Sequence, residues 1–181
     1  MSRFPKAYAD AVAKLRVPFG FAMVAAFVWF SNPTIGSLWY GLPISLAGLA
    51  IRAWAAGHLE KNTQLAVSGP YTYVRNPLYI GTVLAAAGFA IASREWPLGA
   101  LFAAVFVFVY LPVIELEEQH LRELFPSYGD YCERVPMLIP RWSRQEAARR
   151  FRWAVYRRNE EYNALLGFLA GAAVLLWKAL R

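Results

Sequence analysis

One cysteine, Cys132, and two histidines, His58 and His120, are all that 181 residues hold of the Cys and His side chains that build structural zinc sites. A single cysteine excludes an internal disulfide. With only two histidines beside it, a structural zinc site of the usual ligands cannot be built. Charge is scarce as well: 17% of residues are charged, against roughly 25% in ordinary soluble domains. The chain has no GxGxxG loop, no phosphate-binding loop and no serine nucleophile elbow, so a soluble nucleotide-dependent enzyme of doubly wound type is excluded. Internal repeats, low-complexity tracts and Gly/Ser linkers are missing too, which predicts one domain over residues 1–181.

What fills the space is apolar. Hydrophobic residues make up 58% of the chain, aromatics 16%, and the mean hydropathy is +0.32. There is too little polar surface to cover a water-facing body, and aromatics collect at membrane interfaces. The sequence predicts an all-α integral membrane bundle of about five transmembrane helices. The apolar stretches are 17–30, 33–57, 78–92, 96–114 and 162–177. A hydrocarbon core of about 30 Å needs roughly 20 helical residues, which only the second and fourth stretches meet comfortably. The first and third must borrow a turn, with Lys14 and Arg16 snorkelling, or thin the bilayer locally. The first stretch ends in Val28-Trp29-Phe30-Ser31-Asn32-Pro33 rather than in small residues, so it reads as a retained helix and not a cleaved signal.

Basic residues alternate between loops. Arg3, Lys6, Lys14 and Arg16 precede the first stretch, 31–38 has none, and Lys61 and Arg75 follow the second stretch. Nine of the 19 basic residues then fall between Glu115 and Glu161. The positive-inside rule puts the N-terminus, the second loop and this long segment in the cytoplasm. The last stretch is a fifth span, or else a re-entrant or interfacial helix. The same 115–161 segment holds nine acids, so the net charge of +7 calls for no nucleic acid. Arg149, Arg150, Arg157 and Arg158 flank Trp153 and Tyr156. That pattern suits an amphipathic helix on anionic membrane lipids, and equally a solvated helix leading into the last span.

Two polar segments carry the chemistry, residues 58–81 and 115–140, both on the predicted cytoplasmic face. In the first, Gly69-Pro70 and Asn76-Pro77 start turns, and Pro77 suits the first position of a helix. Arg75 is thereby held at the membrane surface, either as a site residue or as an interfacial arginine among the belt aromatics Tyr71, Tyr73 and Tyr79. His58 and Lys61 are expected one turn apart on one side of a helix. In the second segment Glu115, Glu117 and Glu118 directly follow an apolar span, where acids are costly unless solvated or engaged. A continuing helix puts Glu118 on the face of Glu115 and Leu121, with Glu117 turned about 100° away.

The two segments together resemble the isoprenylcysteine carboxyl methyltransferase and phospholipid methyltransferase family. Its pattern of GPY-x-x-x-RHP-x-Y-x-G is met here by Gly69-Pro70-Tyr71, Arg75-Asn76-Pro77, Tyr79 and Gly81. Its second part is met by Glu117-Glu118, Leu121, Phe125, Tyr128, Tyr131, Val135-Pro136 and Pro140. The likeness runs roughly from Arg52 to Pro140. It departs at Asn76, where the family has histidine, and at Pro126, where it has glycine; the tyrosine spacing beyond Pro126 is also one residue shorter.

The resemblance implies S-adenosylmethionine as cofactor, in a pocket opening on the cytoplasmic face. His58, Tyr71, Arg75, Asn76, Tyr79, Gly81, Glu117 and Glu118 would line it, with Arg75, Glu117 and Glu118 as the catalytic set. Carboxylates would neutralise the cofactor's cationic groups and Arg75 would hold its carboxylate. Lys61, Tyr128 and Tyr131 would meet a lipid-like substrate, and no metal is implied. The expected reaction is carboxyl O-methylation of an isoprenylcysteine-type acceptor, since a carboxylate is already ionised. An amine acceptor needs a base, and Asn76 cannot titrate, so phospholipid N-methylation is the alternative. Two further readings are a membrane scaffold that kept the fold without the chemistry and an NADPH-dependent enzyme like the sterol reductases. The residues leave the oligomeric state open.

Overall fold

The computed structural model describes residues 4–141 and 150–181, and among these every regular element is helical. Helix α1 is Lys6–Phe30, 25 residues long. It begins well before the predicted 17–30, taking Lys6, Lys14 and Arg16 into its first turns, so the borrowed length is real. Helix α2, Ile35–Ala56, is opened by a reciprocal cap. Thr34 N–H donates to Ser37 Oγ at 3.0 Å, and Ser37 N–H donates to Thr34 Oγ1 at 3.2 Å, which satisfies donors that a helix start leaves unpaired. Helix α3, Pro77–Ser93, begins at the proline as the turn signals predict, and the Asn76 carbonyl accepts from Tyr79 and Ile80 N–H.

Helix α4, Trp96–Val105, passes through a π turn at Phe106–Tyr110 into α5, Leu111–Leu124. The three form one continuous helix of 29 residues. Pro112 has no N–H to return to the Phe108 carbonyl four residues earlier. The Tyr8 hydroxyl donates to that carbonyl at 2.6 Å instead, sparing an unsatisfied group where no water is at hand. Short helices α6, Tyr128–Arg134, and α7, Trp153–Arg158, precede α8, Tyr162–Ala179.

All five predicted apolar stretches are helices. Three are both long and apolar enough to cross a membrane: α1, the Trp96–Leu124 helix and α8. This alters the ranking expected from sequence. Helix α2 has the length, with 22 residues, but Arg52 and its Ser, Gly and Pro residues dilute its apolar character. Helix α3 is shorter, at 17 residues.

The chain forms two compact units. The first comprises the residues to Ser45, Ala86–His120 and Phe168–Arg181. Its core joins Val12 to Val105, Val109 and Val113, and Leu38 to Ala92 and Leu175. Lys178 Nζ donates to the carbonyls of Val28 and Trp29, at 3.0 and 3.3 Å, and closes the end of α1. The α2–α3 approach here is set by glycine: a Cβ on Gly41 would lie 2.4 Å from the Gly88 carbonyl oxygen. The second unit is Leu46–Ala85 with the described part of Leu121–Gly167. Its core is Tyr128, Tyr131 and Val135 with Leu65, Leu121 and Phe125 around them. Close helix approach recurs within it, since a Cβ on Gly48 would sit 2.5 Å from the Gly81 carbonyl oxygen. Small residues that let helix backbones meet are the usual basis of packing in lipid.

Candidate functional site

The second unit brings the first motif segment against residues 131–141 of the second. Gly69 adopts a left-handed φ of 61°, which turns the chain into a short 3-10 helix, Gly69–Thr72. Beyond it Arg75 and Asn76 meet the end of α6. Arg75 Nη1 donates to the carbonyls of Cys132 and Val135, at 3.0 and 2.8 Å. These carbonyls belong to the last turn of α6, where the helix dipole favours a cation. Arg75 N–H donates to Pro136 O at 2.9 Å, Asn76 Nδ2 to Met137 O at 3.2 Å, and Arg141 N–H to Tyr73 O at 3.0 Å. The buried Tyr131 hydroxyl adds a bond to Tyr71 O at 2.7 Å.

This changes what several predicted site residues are seen to do. Arg75 and Asn76 fasten one motif to the other through backbone carbonyls. Tyr128 and Tyr131, named as substrate contacts, are 1% and 4% exposed and belong to the core. Gly81 is a packing position, for a Cβ there would meet Arg52 Cγ at 2.5 Å. Tyr71 is buried, while Tyr79 is half-buried at the start of α3. The Asn that replaces the family histidine is used as a hydrogen-bond donor, a task that needs no titration.

The expected pairing of His58 and Lys61 on one helix does not occur. Helix α2 stops at Ala56 because the chain turns at Gly57, whose missing Cβ leaves room for the Phe151 ring. His58 and Lys61 follow in turns, and Lys61 is exposed. His58 Nδ1 and Ser68 Oγ share a hydrogen bond of 3.0 Å, and the ring lies edge-on to Phe151. Burial lowers its pKa below the usual 6.5, since desolvation disfavours the imidazolium. His58, Glu60 and Gln64 line a small open cleft together with the 65–68 stretch.

In the first unit α5 separates the two glutamates as the helical phase predicts. Glu118 is buried, at 8% exposure. Glu117 is about half exposed and pairs with Arg16 at 3.4 Å. No group of His, Cys, Asp and Glu suited to a metal ion occurs among the described residues.

The second unit also holds a charged network beyond the residues expected at the site. Arg52 Nε donates to Glu161 Oε1 at 2.5 Å and Nη1 to Thr82 Oγ1 at 2.5 Å. The pair is largely shielded, with side chains 25% and 10% exposed. A lone arginine inside an apolar stretch is the available signal, because an ionisable group at that depth demands a partner.

The segment leading into α8 is also fixed. Arg152 N–H donates to Gly57 O at 3.1 Å. Asn159 Nδ2 donates to Ala56 O and Leu59 O at 2.9 and 2.8 Å.

The family model for phospholipid methyltransferases matches residues 44–128, a segment that includes α3, the first motif and Glu117-Glu118. Over that segment the chain is similar to the phospholipid methyltransferase family. The match ends at Tyr128, so Tyr131, Val135-Pro136 and Pro140 lie beyond it. The chain is 35% identical over 104 residues to the cobalt-zinc-cadmium resistance protein CzcN of Cupriavidus metallidurans, covering 56% of this chain and 48% of that protein. It is 27% identical over 141 residues to protein-S-isoprenylcysteine O-methyltransferase of Schizosaccharomyces pombe, covering 75% and 59% respectively. It is 37% identical over 75 residues to methanethiol S-methyltransferase 1 of Bradyrhizobium diazoefficiens, covering 41% and 25%. The chain spans about half the length of the first of these relatives and less than two thirds of each. No solved structure matches it.

Proposed function

We propose that this chain transfers the methyl group of S-adenosylmethionine to a lipid-like, membrane-borne acceptor on the cytoplasmic face, in first place the carboxylate of an isoprenylcysteine-type substrate. The observation that carries the proposal is the phospholipid methyltransferase match over residues 44–128. The likeness to the fission-yeast O-methyltransferase supports the carboxyl acceptor.

Each unit carries groups whose chemistry suits part of the cofactor. In the first, Glu117 and Glu118 are carboxylates of the kind that neutralise its cationic end; in the second, Tyr71, Arg75, Asn76 and Tyr79 carry N–H, O–H and aromatic groups of the kind that meet its polar remainder. When bound, the cofactor would supply an electrophilic methyl group. Arg75 acts mainly as a positioning residue, since its Nη1 is engaged by the α6 carbonyls. Methyl transfer is an in-line displacement, so the protein's task is to orient acceptor and donor and keep water out. A carboxylate acceptor requires no base.

The amine alternative draws on one observation. Burial lowers the His58 pKa and so favours the neutral imidazole, the form that accepts a proton in general-base catalysis.

Purified protein in detergent, given methyl-labelled S-adenosylmethionine and either farnesylcysteine or phosphatidylethanolamine, separates the cases. Carboxyl methylation gives label that alkali releases as volatile methanol, and this is the expected result. Alkali-stable label in the phospholipid would transfer the assignment to the amine. Label in neither acceptor would contradict both.

A further inference from the structure

The segment from Arg150 to Asn159 is built like a platform. It contains Arg150, Arg152, Arg157 and Arg158 and no acid. All four arginines and Trp153 are exposed, with Trp153 at 69%. The backbone that carries them is tied down at several points. Arg152 N–H and Asn159 Nδ2 bond the carbonyls at the end of α2. The Phe151 ring fills the place where Gly57 lacks a side chain. Phe151, Trp153 and Tyr156 then pack ring on ring, with centroids 5.0–6.3 Å apart. Ordering entropy that a floppy basic tail would lose on binding is therefore already spent in folding.

The surrounding charges fix which arginines are available. Glu60 pairs with Arg152 and lies 3.9 Å from Arg158. Glu161 is taken by Arg52, and Glu160 is exposed in a left-handed turn just beyond the segment. Among the described residues neither Arg150 nor Arg157 has an ion-pair partner. The platform is tied to the C-terminal end of α2 and runs directly into α8, which starts at Tyr162 and is long and apolar enough to cross a membrane. A helix entering a bilayer leaves the residues just before it at headgroup level, where Trp is favoured and nearby Lys and Arg are attracted to anionic lipid.

We propose that Arg150, Arg157 and Trp153 form a binding surface for the phosphate headgroups of anionic phospholipids. The arginines face the phosphates, Trp153 lies at the headgroup–acyl boundary, and Glu60 holds Arg152 in a fixed place beside them. The surface uses neither Arg75 nor Glu118, so it requires no particular methyl acceptor.

Native mass spectrometry of detergent-purified protein titrated with phosphatidylglycerol or phosphatidylcholine tests this. Wild type is expected to retain phosphatidylglycerol several-fold more than phosphatidylcholine. In the double variant Arg150→Gln/Arg157→Gln that preference falls at least threefold, with thermal stability in phosphatidylcholine unchanged because neither side chain supports the fold. Trp153→Ala lowers retention of both lipids. Equal retention of the two lipids by wild type, or an unchanged preference in the double variant, overturns the proposal. So does displacement of the lipid preference onto an acidic peptide that binds more tightly than phosphatidylglycerol, which would mark the surface as a protein site.

Discussion

Arg75 Nη1 lies 2.8 Å from the Val135 carbonyl, so the arginine at the head of the first motif holds the last turn of α6 in the second. One guanidinium nitrogen spans 60 residues of sequence and also engages Cys132 O. Replacing it by alanine removes two charge-assisted hydrogen bonds, while Arg75 N–H still bonds Pro136 O. Arg75→Ala is expected to lower stability by about 2–4 kcal/mol without unfolding the protein outright. Thermal unfolding in detergent checks this; an unchanged midpoint would show that the contact contributes nothing. Loss of cofactor binding in this variant would therefore report on the clamp as much as on direct contact.

Glu118 gives the cleaner probe of the proposed cofactor site. It is buried and Glu117 is not. Glu118→Gln keeps the shape and removes the charge, and it is expected to weaken S-adenosylmethionine binding at least tenfold, about 1.4 kcal/mol. Glu117→Gln breaks only an exposed pair with Arg16, worth less than about 1 kcal/mol, and is expected to leave binding near wild type. The reverse order of effects, read by titration calorimetry, would reassign the two residues.

The lowered pKa of His58 has a definite consequence for stability. Its neutral form is favoured in the folded state, so the unfolded chain takes up a proton first as pH falls. Stability is fully present above the unfolded value of 6.5 and declines as pH drops from there toward the lower folded value. His58→Gln is expected to flatten that part of the profile. Unfolding midpoints measured between pH 5 and pH 8 (roughly the span of histidine titration) decide it, and an identical slope in the variant would show that the sensitivity lies elsewhere.

Arg52 and Glu161 form a shielded pair that ties α2 to the start of α8 within the second unit. Glu161→Gln leaves the guanidinium without its counter-charge. The cost is expected at about 1–3 kcal/mol, between an exposed and a fully buried pair. Restoring it with Arg52→Gln in the same chain should recover part of the loss, and a double-mutant cycle with no coupling would mean the pair is idle.

How much of this was legible in the sequence differs by residue. Five apolar runs, the turn at Asn76-Pro77 and the separation of Glu117 from Glu118 follow from helical period and proline chemistry, and all of them appear in the structure. The length of α1 was underestimated because Lys14 and Arg16 read as a boundary, although a helix carries charged residues readily at its aqueous end. The expectation of His58 and Lys61 on one helix overlooks Gly57, a helix-stop residue placed just after the last helical position, against which Phe151, almost a hundred residues away, packs. The double role of Arg75 was hidden for a similar reason. Its partners are backbone carbonyls, and a carbonyl has no residue type to recognise. The basic cluster around Trp153 fell partly outside the described residues, at Arg144 and Arg149, and its rigidity depended on contacts with α2 that no local pattern encodes.

Calorimetric titration of the detergent-solubilised protein with S-adenosylmethionine, with NADPH in parallel, tests the proposed activity at its first step. Saturable micromolar binding of S-adenosylmethionine, weakened by Glu118→Gln, is expected, with no heat from NADPH. Binding of NADPH, or of neither by a protein whose unfolding transition shows it intact, would contradict it.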